Sequence, residues 1–116
     1  MSVITIITPV YNDWDAFALL VAEIDAVAGE NNFRAKIIAV NDGSVSVPEM
    51  SFWGENLAGI EIMHLSRNLG HQRSIAVGLS ALNKRGNVDA PIIVMDCDGE
   101  DRPADIPRLL AEYDLH

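Results

Sequence analysis

The chain has 116 residues, 49% hydrophobic and 22% charged, which matches the size and composition of one globular domain. Lys and Arg number 8 against 17 Asp and Glu, giving a net charge of -9 and a pI near 4.5; this argues against general binding to nucleic acid or anionic membrane surfaces, so any phosphate ligand needs local help from a metal, helix N-termini or a few placed arginines. The single cysteine, Cys97, excludes an intrachain disulfide and suits a reducing compartment, and no apolar run approaches the ~20 residues that span a bilayer, while Met1-Ser2 leads into a strand pattern without a basic leader, so neither insertion nor export is expected.

The first predicted element is a strand over Val3-Ile4-Thr5-Ile6-Ile7-Thr8, a nearly unbroken β-branched run of the kind found where a strand is covered on both faces, with Pro9 ending it. Asn12 or Asp13 can cap the helix that follows, whose apolar residues Trp14, Phe17, Leu20, Val21, Ile24 and Val27 recur at helical spacing, and Gly29 is placed to terminate it. A second strand, Ala35 to Val40, runs into the turn-favouring Asn41-Asp42-Gly43-Ser44. Residues 45 to 58 carry a weaker signal, with Pro48 opening a short helix through Trp53. A third strand over Ile60 to Leu65 precedes Ser66-Arg67-Asn68-Leu69-Gly70-His71. Then Ile75, Ala76, Leu79 and Leu82 describe a helix face that Asn83 to Asn87, with Gly86, brings to an end. The fourth strand is Pro91 to Met95, and Pro103 to Tyr113 reads as a closing helix with Ile106, Leu109 and Leu110 inward.

Strands alternating with helical patterns predict a parallel α/β sheet, and parallel strands joined by right-handed crossovers leave their C-terminal ends on one edge. Four polar loops then converge there: residues 9–13, 41–44, 66–72 and 96–101. The last is the most informative. The apolar run Ile92 to Met95 empties into Asp96-Cys97-Asp98-Gly99-Glu100-Asp101, and on an extended segment Asp96 and Asp98 share one side. Two carboxylates ~4 Å apart at an effective dielectric of ~20 repel by roughly 4 kcal/mol, so a cation or proton between them is favoured, and a hard divalent ion suits oxygen ligands. The plain alternative is a solvated acidic loop. Cys97 reads as a small residue filling space at the strand end, and His71 as a helix-start contact rather than a base.

The chain resembles the family 2 glycosyltransferases, enzymes with the A-type nucleotide-sugar fold. The matching stretches are Ile7-Thr8-Pro9-Val10-Tyr11-Asn12-Asp13, Val40-Asn41-Asp42-Gly43-Ser44 and Asp96-Cys97-Asp98, which corresponds to the DXD motif. Leu65 to Gln72 and Asp98-Gly99-Glu100-Asp101-Arg102-Pro103 look most like the polyprenyl-phosphate sugar transferases, such as dolichol-phosphate mannose synthase. The resemblance covers essentially the whole chain but only about the first half of the family's catalytic domain. It implies a Rossmann-like, mainly parallel sheet of about four strands in the order 3-2-1-4, forming a single nucleotide-sugar-binding domain over residues 1–116.

By resemblance, Pro9, Tyr11 and Asp13 line a nucleoside pocket, Asp42 accepts a hydrogen bond from the base and Arg67 faces the nucleotide. Asp96 and Asp98, with Glu100, hold Mg²⁺ or Mn²⁺ together with the donor diphosphate. Glu100 departs from the subgroup, which usually has glutamine there. The chemistry suits these roles, since a carboxylate pairs with the donor edge of uracil or guanine and Tyr11 offers an aromatic body with a polar tip. In isolation, Asp42-Gly43 is also an ordinary turn, Tyr11 a packing residue at the helix entry and Arg67 a surface cation.

The implied reaction is inverting transfer of a sugar from a nucleotide diphosphate, a UDP-sugar on the family's general usage or GDP-mannose, to an acceptor such as a polyprenyl phosphate. A cytoplasmic protein, working where a partner or a further segment brings it to the inner face of the membrane, is the corresponding location. No catalytic base is found in this chain; in the family it comes from beyond the metal motif, and the chain alone is expected to bind donor but turn it over poorly. An uncovered sheet edge also invites homo-oligomers. The alternatives are a noncatalytic nucleotide-binding module and, more remotely, a signalling receiver domain, which needs an acidic pair after its first strand where this chain has Thr8-Pro9-Val10.

Overall fold

The computed structural model describes residues 2–47, 54–86 and 91–114. Strand β1 (Ser2–Val10) leads through α1 (Trp14–Glu30) to β2 (Phe33–Asn41), then β3 (Leu57–His64), α2 (His71–Arg85), β4 (Ile92–Val94), a single 3-10 turn (Pro103–Asp105) and α3 (Ile106–Asp114). The strands form one sheet in the order β3-β2-β1-β4, every pairing parallel. The short helix expected from Pro48 to Trp53 lies outside the described residues, as does Asn87.

The β-branched run of β1 is buried on both faces from Ile6 onward, as its composition predicts, while Val3 at its start is exposed. Ile4, Ile6 and Val10 pack with Ala35, Ile37 and Ala39 of β2 against the α1 stripe of Trp14, Phe17, Leu20, Val21, Ile24 and Ala28, and Ile106 joins this core. On the opposite face Ile7, Ile38 and Val40 meet Leu82 of α2. Burial of such large aliphatic side chains stabilises the fold by roughly 1.5–3 kcal/mol each relative to exposure.

Several boundaries differ from the sequence pattern, each for a local reason. Pro9 does not end β1, because it pairs with Val40 and the strand continues to Val10. The β4 ladder uses odd-numbered residues of β1: Thr5 N–H donates to Pro91 O and Met95 N–H to Ile7 O. Pro9 therefore turns its missing N–H toward the side where β4 has already ended, a position at which proline costs no ladder bond. Gly29 lies inside α1, and Asn31 ends the helix, its side-chain amide donating to Val27 O at 2.8 Å, followed by Asn32 at φ 55°.

The inward face of α2 is Ser74, Gly78 and Leu82, whereas Ala76 and Leu79, expected inside, are exposed and Ile75 is half-buried. Gly78 decides this rotation: a Cβ there would lie 2.9 Å from Val40 Cγ2, so the small residues are what allow the helix to sit close on the sheet. In α3, Ile106 is buried and Leu110 packs on the core, while Leu109 turns outward. Gly86 ends α2 in a left-handed conformation, as the pattern predicts.

Candidate active site

With all strands parallel, Val10, Asn41, His64 and Val94 end on the same edge, and the loops that leave them are tied to one another. The first two loops interlock. Asn12, at φ 62°, donates its N–H to Ser44 Oγ at 2.9 Å, while its side-chain oxygen accepts from Val45 N–H at 2.8 Å. Asn41 extends the link across the sheet, its Oδ1 accepting from Ser44 N–H and its amide meeting His64 Nδ1 at 3.0 Å. Asn suits position 12 because it tolerates positive φ while its side chain still accepts a hydrogen bond.

Asp42 is 3% exposed and is the centre of the next connection. Its backbone N–H donates to Val10 O at 2.9 Å, which fixes it to the end of β1. Its carboxylate accepts from Leu69 N–H at 2.7 Å, Gly70 N–H at 3.1 Å and the Asn68 amide at 3.2 Å. The loop after β3 is thus wrapped around a buried carboxylate contributed by the loop after β2.

Pro9, Val10, Tyr11, Asp42, Asn68, Gly70 and His71 line a cavity of about 230 Å³ at this edge. Of the residues expected to line a nucleoside pocket, Pro9, Tyr11 and Asp42 come together here, and Tyr11 is half exposed at the rim. Asp13 and Arg67 do not line the cavity. Asp13 is the N-cap of α1, its carboxylate accepting from Ala16 N–H at 3.2 Å, and the Arg67 side chain is exposed.

The acidic cluster is built differently from the way its sequence suggests. Because β4 stops at Val94, Asp96 and Asp98 are not alternate residues of a strand but members of a closed loop. Asp101 braces the loop by accepting from Asp96 N–H at 2.7 Å, Asp98 Oδ1 accepts from Glu100 N–H at 3.0 Å, and Gly99 between them takes φ 93°. The result brings ligand oxygens of Asp96, Asp98 and Glu100 within 4.8 Å of one another. An all-carboxylate donor set of this spacing fits a hard cation such as Mg²⁺ or Mn²⁺. Cys97 is directed elsewhere, packing on the core with its Sγ 3.7 Å from Pro9 O; burial, reinforced by the Asp13 and Asp98 carboxylates, pushes its thiol pKa up and makes it a poor thiolate donor.

His71 joins the two halves of the edge. It lines the cavity and its Nε2 pairs with Asp96 Oδ1. Neither this contact nor the donors around Asp42 carries a sequence signal, since the partners lie 25 to 28 residues apart.

The family model described as glycosyl transferase family 2 matches residues 5–116. Among curated proteins, the chain is 28% identical to an undecaprenyl-phosphate 4-deoxy-4-formamido-L-arabinose transferase of Pseudomonas fluorescens, over 97% of this chain and 32% of that protein. It is 31% identical to a protein of the same name from Pseudomonas savastanoi, over 93% of this chain and 32% of that one. A dodecaprenyl-phosphate galacturonate synthase of Rhizobium johnstonii is 26% identical over 96% of this chain and 32% of that protein. The chain thus spans about a third of the length of these relatives.

Proposed function

Because the chain belongs to glycosyl transferase family 2, we propose that it forms the donor-binding part of an enzyme that moves a sugar from a nucleotide diphosphate to a polyprenyl phosphate. The observation that carries this reading is the adjacency of a cavity suited to a nucleoside and a cluster of carboxylates, joined by His71 on one sheet edge. The names of the relatives, all polyprenyl-phosphate sugar transferases or synthases, support the acceptor class.

In this reading Tyr11 and Pro9 pack against the nucleoside, and Asp42 uses its remaining lone pair on a donor of the base. A UDP-sugar is the favoured donor, with GDP-mannose the next. Asp96, Asp98 and Glu100 hold Mg²⁺ or Mn²⁺ at the diphosphate, and the bound ion supplies charge neutralisation for the leaving group. The bond from the anomeric carbon to the nucleotide diphosphate breaks, with the electron pair leaving on the diphosphate. A bond from that carbon to an acceptor phosphate oxygen forms on the opposite face. That oxygen is already anionic, so the step needs no general base from this chain. Arg67, exposed on the loop that carries Asn68, is available to the donor phosphates. Because the acceptor is a lipid, the reaction belongs at a membrane surface, on the cytoplasmic side; no helix among the described residues is long and apolar enough to cross a membrane.

Titrating UDP into ¹⁵N-labelled protein with Mn²⁺ tests the placement. The amides of Tyr11, Asn68, Gly70 and Asp98 should move together. Shifts confined to the outer surface of α2, with none at these positions, would overturn it.

A further inference from the structure

We infer that Asp42 is a positioning residue: by holding the Leu69 and Gly70 backbone it fixes the start of α2 and so sets the His71 ring against Asp96, coupling the cavity to the acidic cluster. A carboxylate offers about four lone-pair sites, and here Leu69 N–H, Gly70 N–H and the Asn68 amide occupy three of them. Contact with a ligand is therefore only a fraction of what this buried side chain does. The start of α2 depends on it because Gly70, the N-cap, has no capping side chain and stands at φ 92°. The Asp42 carboxylate instead holds the two amides just before the first turn, Leu69 and Gly70 N–H, and its negative charge sits favourably at the helix N-terminus.

From that anchor the contacts continue to the His71 backbone. Ser74 N–H donates to Gly70 O at 3.0 Å and Ser74 Oγ to His71 O at 2.9 Å, with Ser74 fully buried. The His71 backbone is thereby held, and its ring reaches Asp96. Partners that hydrogen-bond a metal-ligating carboxylate orient it, and their loss typically lowers metal affinity by about 10–100-fold.

The functional consequence rests on the donor-site reading above, but the positioning itself is testable in metal-free, nucleotide-free protein. In Asp42→Asn, the Leu69 and Gly70 amides should shift, and the His71 ring ¹³C and ¹⁵N signals should shift with them. In Asp96→Asn the His71 ring should move while Leu69 and Gly70 stay. A His71 ring that responds to Asp96→Asn but not to Asp42→Asn overturns the inference. If Asp42→Asn does not fold, Asp42→Glu, which keeps the charge but displaces the oxygens from Leu69 and Gly70 N–H, serves instead, and an unmoved His71 ring there is equally contradictory. Mn²⁺ titration supplies a readout that general destabilisation would not mimic. Asp42→Asn and His71→Ala should each weaken Mn²⁺ by about tenfold, and the double variant should be no weaker than His71→Ala alone. Additive losses count against transmission through His71. If the unaltered chain binds no Mn²⁺, the donor-site reading fails, and the ring signals still decide the positioning claim.

Discussion

A methyl group built on Gly43 would lie 2.3 Å from the Asn68 backbone nitrogen and 2.5 Å from the Arg67 carbonyl carbon, so the loop after β2 touches the loop after β3 through bare backbone. Gly43 also has φ 71°, nearly the same as Gly86 at 72°, where a Cβ would meet no atom of the described residues within 4 Å. This pair separates strain from crowding. Gly86→Ala should cost about 1 kcal/mol for the left-handed conformation alone, and Gly43→Ala more than about 3 kcal/mol, since neither backbone can yield. Urea unfolding of the two variants checks the difference, and equal costs would show that the loops are not in contact.

The cap of α1 gives a second expectation. Asp13→Ala should destabilise the protein by about 1 kcal/mol through loss of the bond from Ala16 N–H, and Asp13→Ser should recover most of it. Thermal unfolding distinguishes these outcomes; no loss in Asp13→Ala would remove the capping role.

The layout of the sheet was legible because its signals are local: β-branched runs, the α1 stripe and the polar residues that follow each strand. The same signals explain how three carboxylates of one short loop could be picked out as a group. What escaped depends on contacts between distant segments. Pro9 stays within β1 because β4 is only three residues long, a property of the neighbouring strand. The outward turn of Leu79 follows from how closely Gly78 approaches Val40. Asp42 read as a turn residue or a ligand contact, and its use as the acceptor for Leu69 and Gly70 is set by the packing of two loops.

Acid should reveal the ion pair between α2 and β3. The Arg85 guanidinium, bonded to Glu61 at 2.9 Å through one nitrogen and paired through the other, holds the Glu61 carboxyl below its usual range despite partial burial. A carboxyl whose folded pKa is depressed stabilises the protein above the unfolded pKa and loses that contribution as pH falls through the folded value. Glu61→Gln should therefore be less stable than the parent near neutral pH, with the gap closing below about pH 4. The pair is largely solvent-screened, so the gap should be small and should shrink with added salt. A gap that persists in acid would assign the effect to packing.

Because the chain spans about a third of its relatives' length, donor binding and turnover should separate. The 116-residue chain should bind UDP-sugar with Mn²⁺ yet transfer no sugar to a polyprenyl phosphate above background, measured with radiolabelled donor. Efficient transfer would locate the acceptor site within these residues.

If Asp96, Asp98 and Glu100 hold a cation at the nucleotide, binding at this edge should depend on metal. Calorimetry with UDP and with GDP, with and without Mn²⁺, on the parent chain and on Asp98→Ala tests it most directly. Binding should require Mn²⁺ and be lost in a folded Asp98→Ala variant. Equal binding with and without Mn²⁺, or no binding of either nucleotide by the folded parent, would contradict it.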